Sequence, residues 1–260
     1  MGTVSHQVVK WAGMKIVFHE NYQQVYAYDP AAKVGRIESI VDALKGYEFV
    51  PHQSADEEDL LLVHTQSLID ALKGNRTVFE LASLAAGGAI TTAEIALSEP
   101  AFGLIRPPGH HAGRYFNGGF CFFNNMAVAV QRLIQQKKIN RALIVDIDLH
   151  YGNGTHDILG GRKDVIFLNM ECGARQRYLD ELRESLEKTK GYDIIGVSAG
   201  FDTYEKDWGR SLKTGDYKTI GSMIKEAAKS CQGQRFALLE GGYYIPDLGK
   251  NVKSFLDGLE

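Results

Sequence analysis

The stretch Ala142-Leu143-Ile144-Val145-Asp146-Ile147-Asp148-Leu149-His150-Tyr151-Gly152-Asn153-Gly154 opens on an apolar run and closes on two acids, a histidine and two glycines. A run that is apolar at every position, rather than at alternate ones, reads as a strand covered on both faces, as inside a parallel sheet. Together with this stretch, read as a strand over 142–148, five further runs recur at 14–19, 102–106, 164–170, 194–198 and 236–239. Helical patterns lie between them at 37–45, 79–97, 126–137, 179–188, 217–230 and 252–259. Strand then helix, repeated, predicts an α/β fold: one domain with a three-layer, open, mostly parallel sheet and helices on both faces.

The chain of 260 residues, 44% hydrophobic and 23% charged, is long enough for one large core and shows no repeat, low-complexity tract or linker. The expected division is an N-terminal extension over 1–13 and a catalytic domain over 14–260. A net charge of −3 with no block of like charges advertises neither a nucleic-acid nor a membrane surface. Cys121, Cys172 and Cys231 are odd in number and far apart, which suggests a reducing, cytoplasmic setting rather than a disulfide framework. The first 13 residues hold no apolar run of signal-peptide length, and His6 stands where myristoylation requires Ser or Thr. No apolar run approaches the roughly 18 residues that span a bilayer. Oligomeric state is not legible.

The reactive residues fall just past the strand ends, at His110-His111, Asp148 and His150, Asp202, and Glu240 to Tyr243. In open α/β sheets ligands bind off the carboxyl ends of the strands, so four separate segments are expected to converge on one edge. If the strand stays extended through 146–150, Asp146, Asp148 and His150 share a face, because strand period is two. Two buried carboxylates on one face repel each other unless a cation sits among them; a bland alternative is an Asp that caps the next helix. Asp202 ends a second buried strand and supplies a third ligand, matching the three protein ligands of a catalytic zinc site. The oxygen-rich set also suits Fe²⁺ or Co²⁺.

Arg106-Pro107-Pro108-Gly109-His110-His111-Ala112-Gly113 is a stiff loop carrying two adjacent histidines, read as acid/base machinery. One can accept a proton from the attacking water while the other protonates a leaving amine. In Glu240-Gly241-Gly242-Tyr243 the two glycines let the chain bend so that a phenol can donate to an oxyanion. Gly119 and Phe120, in Asn117-Gly118-Gly119-Phe120-Cys121-Phe122-Phe123-Asn124-Asn125, are candidates for the wall of a narrow apolar channel, with core packing the alternative. His6, His19, His52, His64 and His156 belong to no constellation.

Together R-P-P-G-H-H-A, G-F-C-F-F-N-N, D-I-D-L-H-Y-G-N-G-T, A-G-F-D and E-G-G-Y resemble the zinc-dependent histone deacetylase family, which includes acetylpolyamine amidohydrolases. The resemblance runs in order from about Phe18 to Leu259. It implies an arginase/deacetylase-like fold that hydrolyses an acyl-amide, such as acetyl-lysine or an acetylated polyamine. It places the zinc ligands at Asp148, His150 and Asp202, the tandem histidines at His110 and His111, and the catalytic tyrosine at Tyr243. Asp146 then orients His110, Asn153 faces His111, and a structural K⁺ lies near 146–150. Two loops depart from the family pattern. Residues 171–177 lack the glycine-rich stretch that bears a second groove aromatic, and 73–79 lack a longer loop with a substrate-gripping acid. A two-manganese ureohydrolase and a non-catalytic acyl-lysine binding module are the competing expectations.

Overall fold

The computed structural model describes residues 13–260, so the expected N-terminal extension, the absence of a signal there and His6 lie outside the described residues except for Gly13. Seven strands form one sheet in which every pairing is parallel. They are β1 (Lys15–Val17), β2 (Glu48–Val50), β3 (Ala101–Gly103), β4 (Ala142–Asp146), β5 (Val165–Asn169), β6 (Ile194–Ala199) and β7 (Arg235–Leu239). Their order is β2-β1-β3-β7-β6-β4-β5. The apolar runs explain the centre of the sheet: every residue of β3, β4, β6 and β7 is buried, as strands covered on both faces require.

Nine α-helices accompany the sheet among the described residues: α1 (Arg36–Ala43), α2 (Glu57–Leu61), α3 (Gln66–Lys73), α4 (Arg76–Ile95), α5 (Asn125–Gln135), α6 (Asn153–Leu159), α7 (Arg175–Lys188), α8 (Thr214–Ala228) and α9 (Ile245–Leu259). Helices α4 and α5 pack on each other, and α1, α9, α8 and α7 form a second connected layer. The expected α/β fold with helices on both faces is what the chain forms. Side-chain caps start several helices: Thr65 accepts from Leu68 N, Asn75 from Val78 N and Asn124 from Ala127 N.

Three departures from the sequence expectation have physical causes. Strand β2 pairs only with β1, at the sheet edge, and its three residues are half-buried, so no continuous apolar run marks it. Strand β4 stops at Asp146 instead of running to 148. Helix α4 is long and apolar enough to match a membrane span by length and composition, which the scattered charges Arg76, Glu80 and Glu94 hide from a run count. Most of its residues are buried within the protein, as in a central packing helix. The two short connections are short: Gly74 and Asn75 alone join α3 to α4, and 170–174 join β5 to α7.

Candidate active site

The four central neighbours β3, β7, β6 and β4 each deliver one reactive segment from their carboxyl ends. Past Asp146 the chain turns rather than staying extended. Asp148 N donates to Asp146 Oδ1 (3.1 Å), Leu149 N to Asp202 Oδ1 (3.0 Å) and His150 N to Asp148 Oδ1 (2.9 Å). The period-two reading of 146, 148 and 150 therefore fails, because carboxylates capture the backbone N–H groups that a ladder would use. The turn divides the triple: Asp146 faces His110, while Asp148 and His150 gather with Asp202. One ligand atom from each of these three lies within 4.8 Å of the others. Neither acid caps a helix, since α6 starts behind Gly152 and α8 behind Lys213.

The donor set fits a cation. His150 Nδ1 stands 3.1 Å from Asp148 Oδ1 and 3.0 Å from Asp202 Oδ2. Asp202 Oδ2 is buried yet accepts no well-aligned hydrogen bond, an expensive arrangement for a carboxylate unless a positive charge compensates it. A Cβ on Gly200 would run into the Asp148 carboxylate, and one on Gly241 would intrude on both acids, so both glycines leave the cluster its room. Burial, with the nearby charge of Asp148, raises the Asp202 carboxyl to about 7. Burial would raise Asp148 too, but the charge of His110 and hydrogen bonds from His150 and Gly241 hold it well below the carboxylate range. Asp148, hydrogen-bonded to Nδ1, and then the Asp202 carboxylate 3.0 Å from the same nitrogen lift His150 to about 10. The three groups together demand positive charge, from a proton or a metal ion.

The tandem histidines sit in a loop fixed from beneath. The buried Glu240 carboxylate accepts from Gly109 N (2.7 Å) and His110 N (3.2 Å), and Thr155 N donates to His110 O (3.1 Å). His110 Nδ1 lies 3.0 Å from Asp146 Oδ2 and its Nε2 3.7 Å from Asp148 Oδ1. Burial opposes a charge on His110, but Asp148 and Asp146 outweigh it and hold its pKa well above normal. His111 is the reverse: burial and the neighbouring His110 lower it to about 4. Its Nδ1 meets Asn153 Oδ1 at 2.6 Å, so Nδ1 donates and Nε2 is left as the acceptor. One charged and one neutral imidazole thus lie with ring centroids 4.0 Å apart.

Gly242 adopts φ 118°, a conformation that only glycine takes readily, and turns Tyr243 into the site. Burial raises the phenol pKa, keeping it protonated and able to donate. Phe120, itself at φ 68°, meets the Tyr243 ring edge-on at 6.2 Å, and Gly119 lies so close to the His111 ring that a side chain there would strike it. Sequence reasoning missed four contributors. Trp208 stacks on Tyr243 at 4.2 Å and meets His150 edge-on at 5.8 Å. Asp207 Oδ2 accepts from Tyr243 N and Tyr244 N, both at 2.6 Å. Buried Arg36 donates to Gly242 O and Glu240 O. His64 bridges Gly113 O (2.9 Å) and Asn124 N (2.9 Å), tying the histidine loop to α5. An aromatic six residues past a candidate ligand, on the same loop, was the available signal for Trp208.

A second group, His110, Cys121 and Glu240, also brings possible ligand atoms within 4.8 Å. It does not suit a cation: the Glu240 carboxylate already accepts two backbone N–H groups, and burial keeps Cys121 a thiol, donating to Gly119 O. His19 and His52 pack 5.9 Å apart near Tyr22, and His156 stacks on Phe167; none joins the site.

Residues 31–178 match the family model described as Histone deacetylase domain. A probable deacetylase of Archaeoglobus fulgidus is 30% identical, over 88% of this chain and 81% of its own. The acetylpolyamine amidohydrolase of Mycoplana ramosa is 35% identical over 61% of this chain and 56% of its own. Among solved structures, the crystal structure of the HDA15 HD domain superposes with a TM-score of 0.84 at 23% identity, covering 95% of this chain and 89% of that one.

Proposed function

This chain belongs to the histone deacetylase family, and from that membership we propose that it is a metal-dependent amide hydrolase that removes an acyl group, such as acetyl, from an amine. The observation that carries the proposal is the convergence of Asp148, His150 and Asp202 beside the unequal pair His110 and His111. Asp148, His150 and Asp202 would hold the family's metal ion, zinc by ligand count, with Fe²⁺ or Co²⁺ accepted by the same oxygen-rich set. When bound, that ion would polarise the amide carbonyl and make water acidic enough to attack near neutral pH.

The chain's own residues supply the proton traffic. His111, neutral and anchored through Nδ1 on Asn153, takes the proton of the attacking water on Nε2 and passes it to the departing amine nitrogen. His110, which Asp148 and Asp146 hold toward its charged form, stabilises developing negative charge without leaving its place. Tyr243 donates its phenol hydrogen to the oxyanion. Phe120 lines the way to the reacting carbon. The products are a carboxylate and a free amine. A structural K⁺ belongs to the same proposal, near 146–150, where the buried Ser198 Oγ beside Asp146 in register has no hydrogen-bond partner. The unpaired Cys121, Cys172 and Cys231 support a cytoplasmic, reducing setting.

Metal analysis of the purified protein tests the proposal, run beside hydrolysis of acetyl-lysine peptide, acetylated polyamine and trifluoroacetyl-lysine reporter with and without chelator. About one ion per chain with chelator-sensitive amine release is expected. Two manganese ions per chain, or one ion with no amine release, would overturn it in favour of a ureohydrolase or a binding module.

A further inference from the structure

The sheet ends on β2 at one side and on β5 at the other, and the two edges are guarded unequally. Strand β2 is three residues long, and its Glu48 carboxylate pairs with Lys15 Nζ at 3.5 Å. A short, charged edge strand resists pairing with another chain. Strand β5 reads Val165-Ile166-Phe167-Leu168-Asn169, with no charge, no proline and no glycine. Among the described residues it pairs with β4 alone, and 170–174 lead straight from it into α7.

The bonds to β4 fix which backbone groups are left over. Asp164 O accepts from Ala142 N (3.0 Å), and Met170 N donates to Asp146 O (2.9 Å), so the even-numbered residues face β4. In a parallel ladder the alternate residues turn both N–H and C=O the other way. Val165, Phe167 and Asn169 therefore direct theirs out of the sheet, where these groups meet no hydrogen-bond partner among the described residues. From Ile166 to Asn169 the strand is only half-buried, as an edge open to solvent should be.

This edge is complementary to itself. When two copies pair antiparallel about a two-fold axis at Phe167, Phe167 meets its own image and Val165 meets Asn169, so outward donors and acceptors face each other. The same register brings Lys163 of one copy to Glu171 of the other, twice by symmetry. Both are exposed, and among the described residues neither makes an ion pair, whereas Arg162 is paired with Asp164 and Arg175 with Asp216. Moving the axis to Ile166 or Leu168 would set Lys163 against Asn169 or Gly173 and lose the match. Antiparallel joining also points the carboxyl ends of the two sheets in opposite directions, which leaves both active sites open.

We propose that β5 is the subunit interface of a two-fold dimer, in which a second copy of this chain joins the two seven-stranded sheets into one and the Lys163–Glu171 pairs set the register. Sedimentation of the full chain over a range of concentrations tests it, with hydrogen exchange followed at 165–169. A particle of twice 28.8 kDa should form as concentration rises, and these amides should become protected with it. Glu171→Lys or Lys163→Glu alone sets like charges together and should weaken the dimer about tenfold. The two combined restore opposite charges and should return its Kd to near the native value. Val165→Pro removes one outward N–H without touching the bonds to β4 and should give a monomer with native circular dichroism. A monomer at every concentration, or a dimer that neither charge reversal nor Val165→Pro weakens, would overturn the proposal. So would protection of 165–169 that appears only on adding an acetyl-lysine peptide, since the edge would then hold peptide backbone rather than a second copy.

Discussion

At the residue scale, the site works by giving chemically similar groups different surroundings. Asp148 and Asp202 are both buried, yet hydrogen bonds and His110 keep one ionised while burial lifts the other to about 7. His110 and His111 are sequence neighbours held at opposite extremes of protonation. Tyr243 differs from the phenols of Tyr178 and Tyr217 near the cluster, which donate to the backbone oxygens of Ile147 and Phe201, in that its hydroxyl is left for an oxyanion. Tyr243→Phe should slow turnover by roughly 3 to 4 kcal/mol of barrier, as loss of one oxyanion donor does, with little change in KM; a variant with undiminished kcat would remove Tyr243 from the mechanism. His64, outside the reacting set, sets a pH limit on stability. Burial is the main cause, with Arg114 adding, that lowers it to about 4 against the ordinary 6.5, and its Nε2 must stay unprotonated to accept from Asn124 N. Between pH 6.5 and 4 the unfolded chain therefore binds the extra proton, so stability falls as pH drops through this window and is unaffected above it. The loss at the acid end is about 3 kcal/mol. Urea unfolding from pH 7 to 4 should show a shallower acid decline in His64→Gln than in the native chain, and parallel curves would refute the assignment.

At the element scale, the buried strands and long helices were legible because burial on two faces writes itself as an unbroken apolar run. The edge strand β2 was not, since its residues are half-buried, nor were α3 and the short α2 and α6, the last two at five and seven residues too brief to show a persistent period. The candidate site was legible as a set of residue types past strand ends, but its geometry was not. Where a carboxylate can capture the next backbone N–H, as at Asp146 and Asp148, local hydrogen bonding overrides strand periodicity. Trp208 and Asp207 were missed because their role depends on a loop meeting Tyr243 from another strand. Helix α4 shows a contact of the same long-range kind. Its Gly87 lies against the backbone of Gln53 and Ala55, and Ala55 N donates to Ser83 O (2.9 Å). Alanine is the better helix former by about 1 kcal/mol, but a Cβ there meets backbone atoms that cannot rotate away, an overpacking cost of roughly 1 to 3 kcal/mol. Gly87→Ala should therefore lower the thermal midpoint; an unchanged or raised midpoint would show that the 52–55 segment can retreat.

At the scale of the whole molecule, four adjacent strands, β3, β7, β6 and β4, each end on part of one site, so the sheet itself brings carboxylates from separate segments together. The sheet holds Asp148 and Asp202 together whether or not a cation is there to offset their repulsion, and this couples metal binding to global stability. At a metal concentration one hundred times its Kd, the folded chain gains about 2.7 kcal/mol. For a domain of this size that is a rise in Tm of roughly 5 to 10 °C. Calorimetry with zinc and then with excess chelator should show this shift, reversible on reloading. Asp202→Asn separates the metal effect from generic stabilisation, because it has different consequences in the two states. Without metal it replaces a buried carboxyl already lifted to about 7 by a neutral amide and should leave the protein about as stable as the native chain. With metal it lacks a ligand and should show little of the rise. An Asp202→Asn protein that is less stable than the native chain under chelator, yet gains the full shift with zinc, would mean that Asp202 holds the fold rather than the ion.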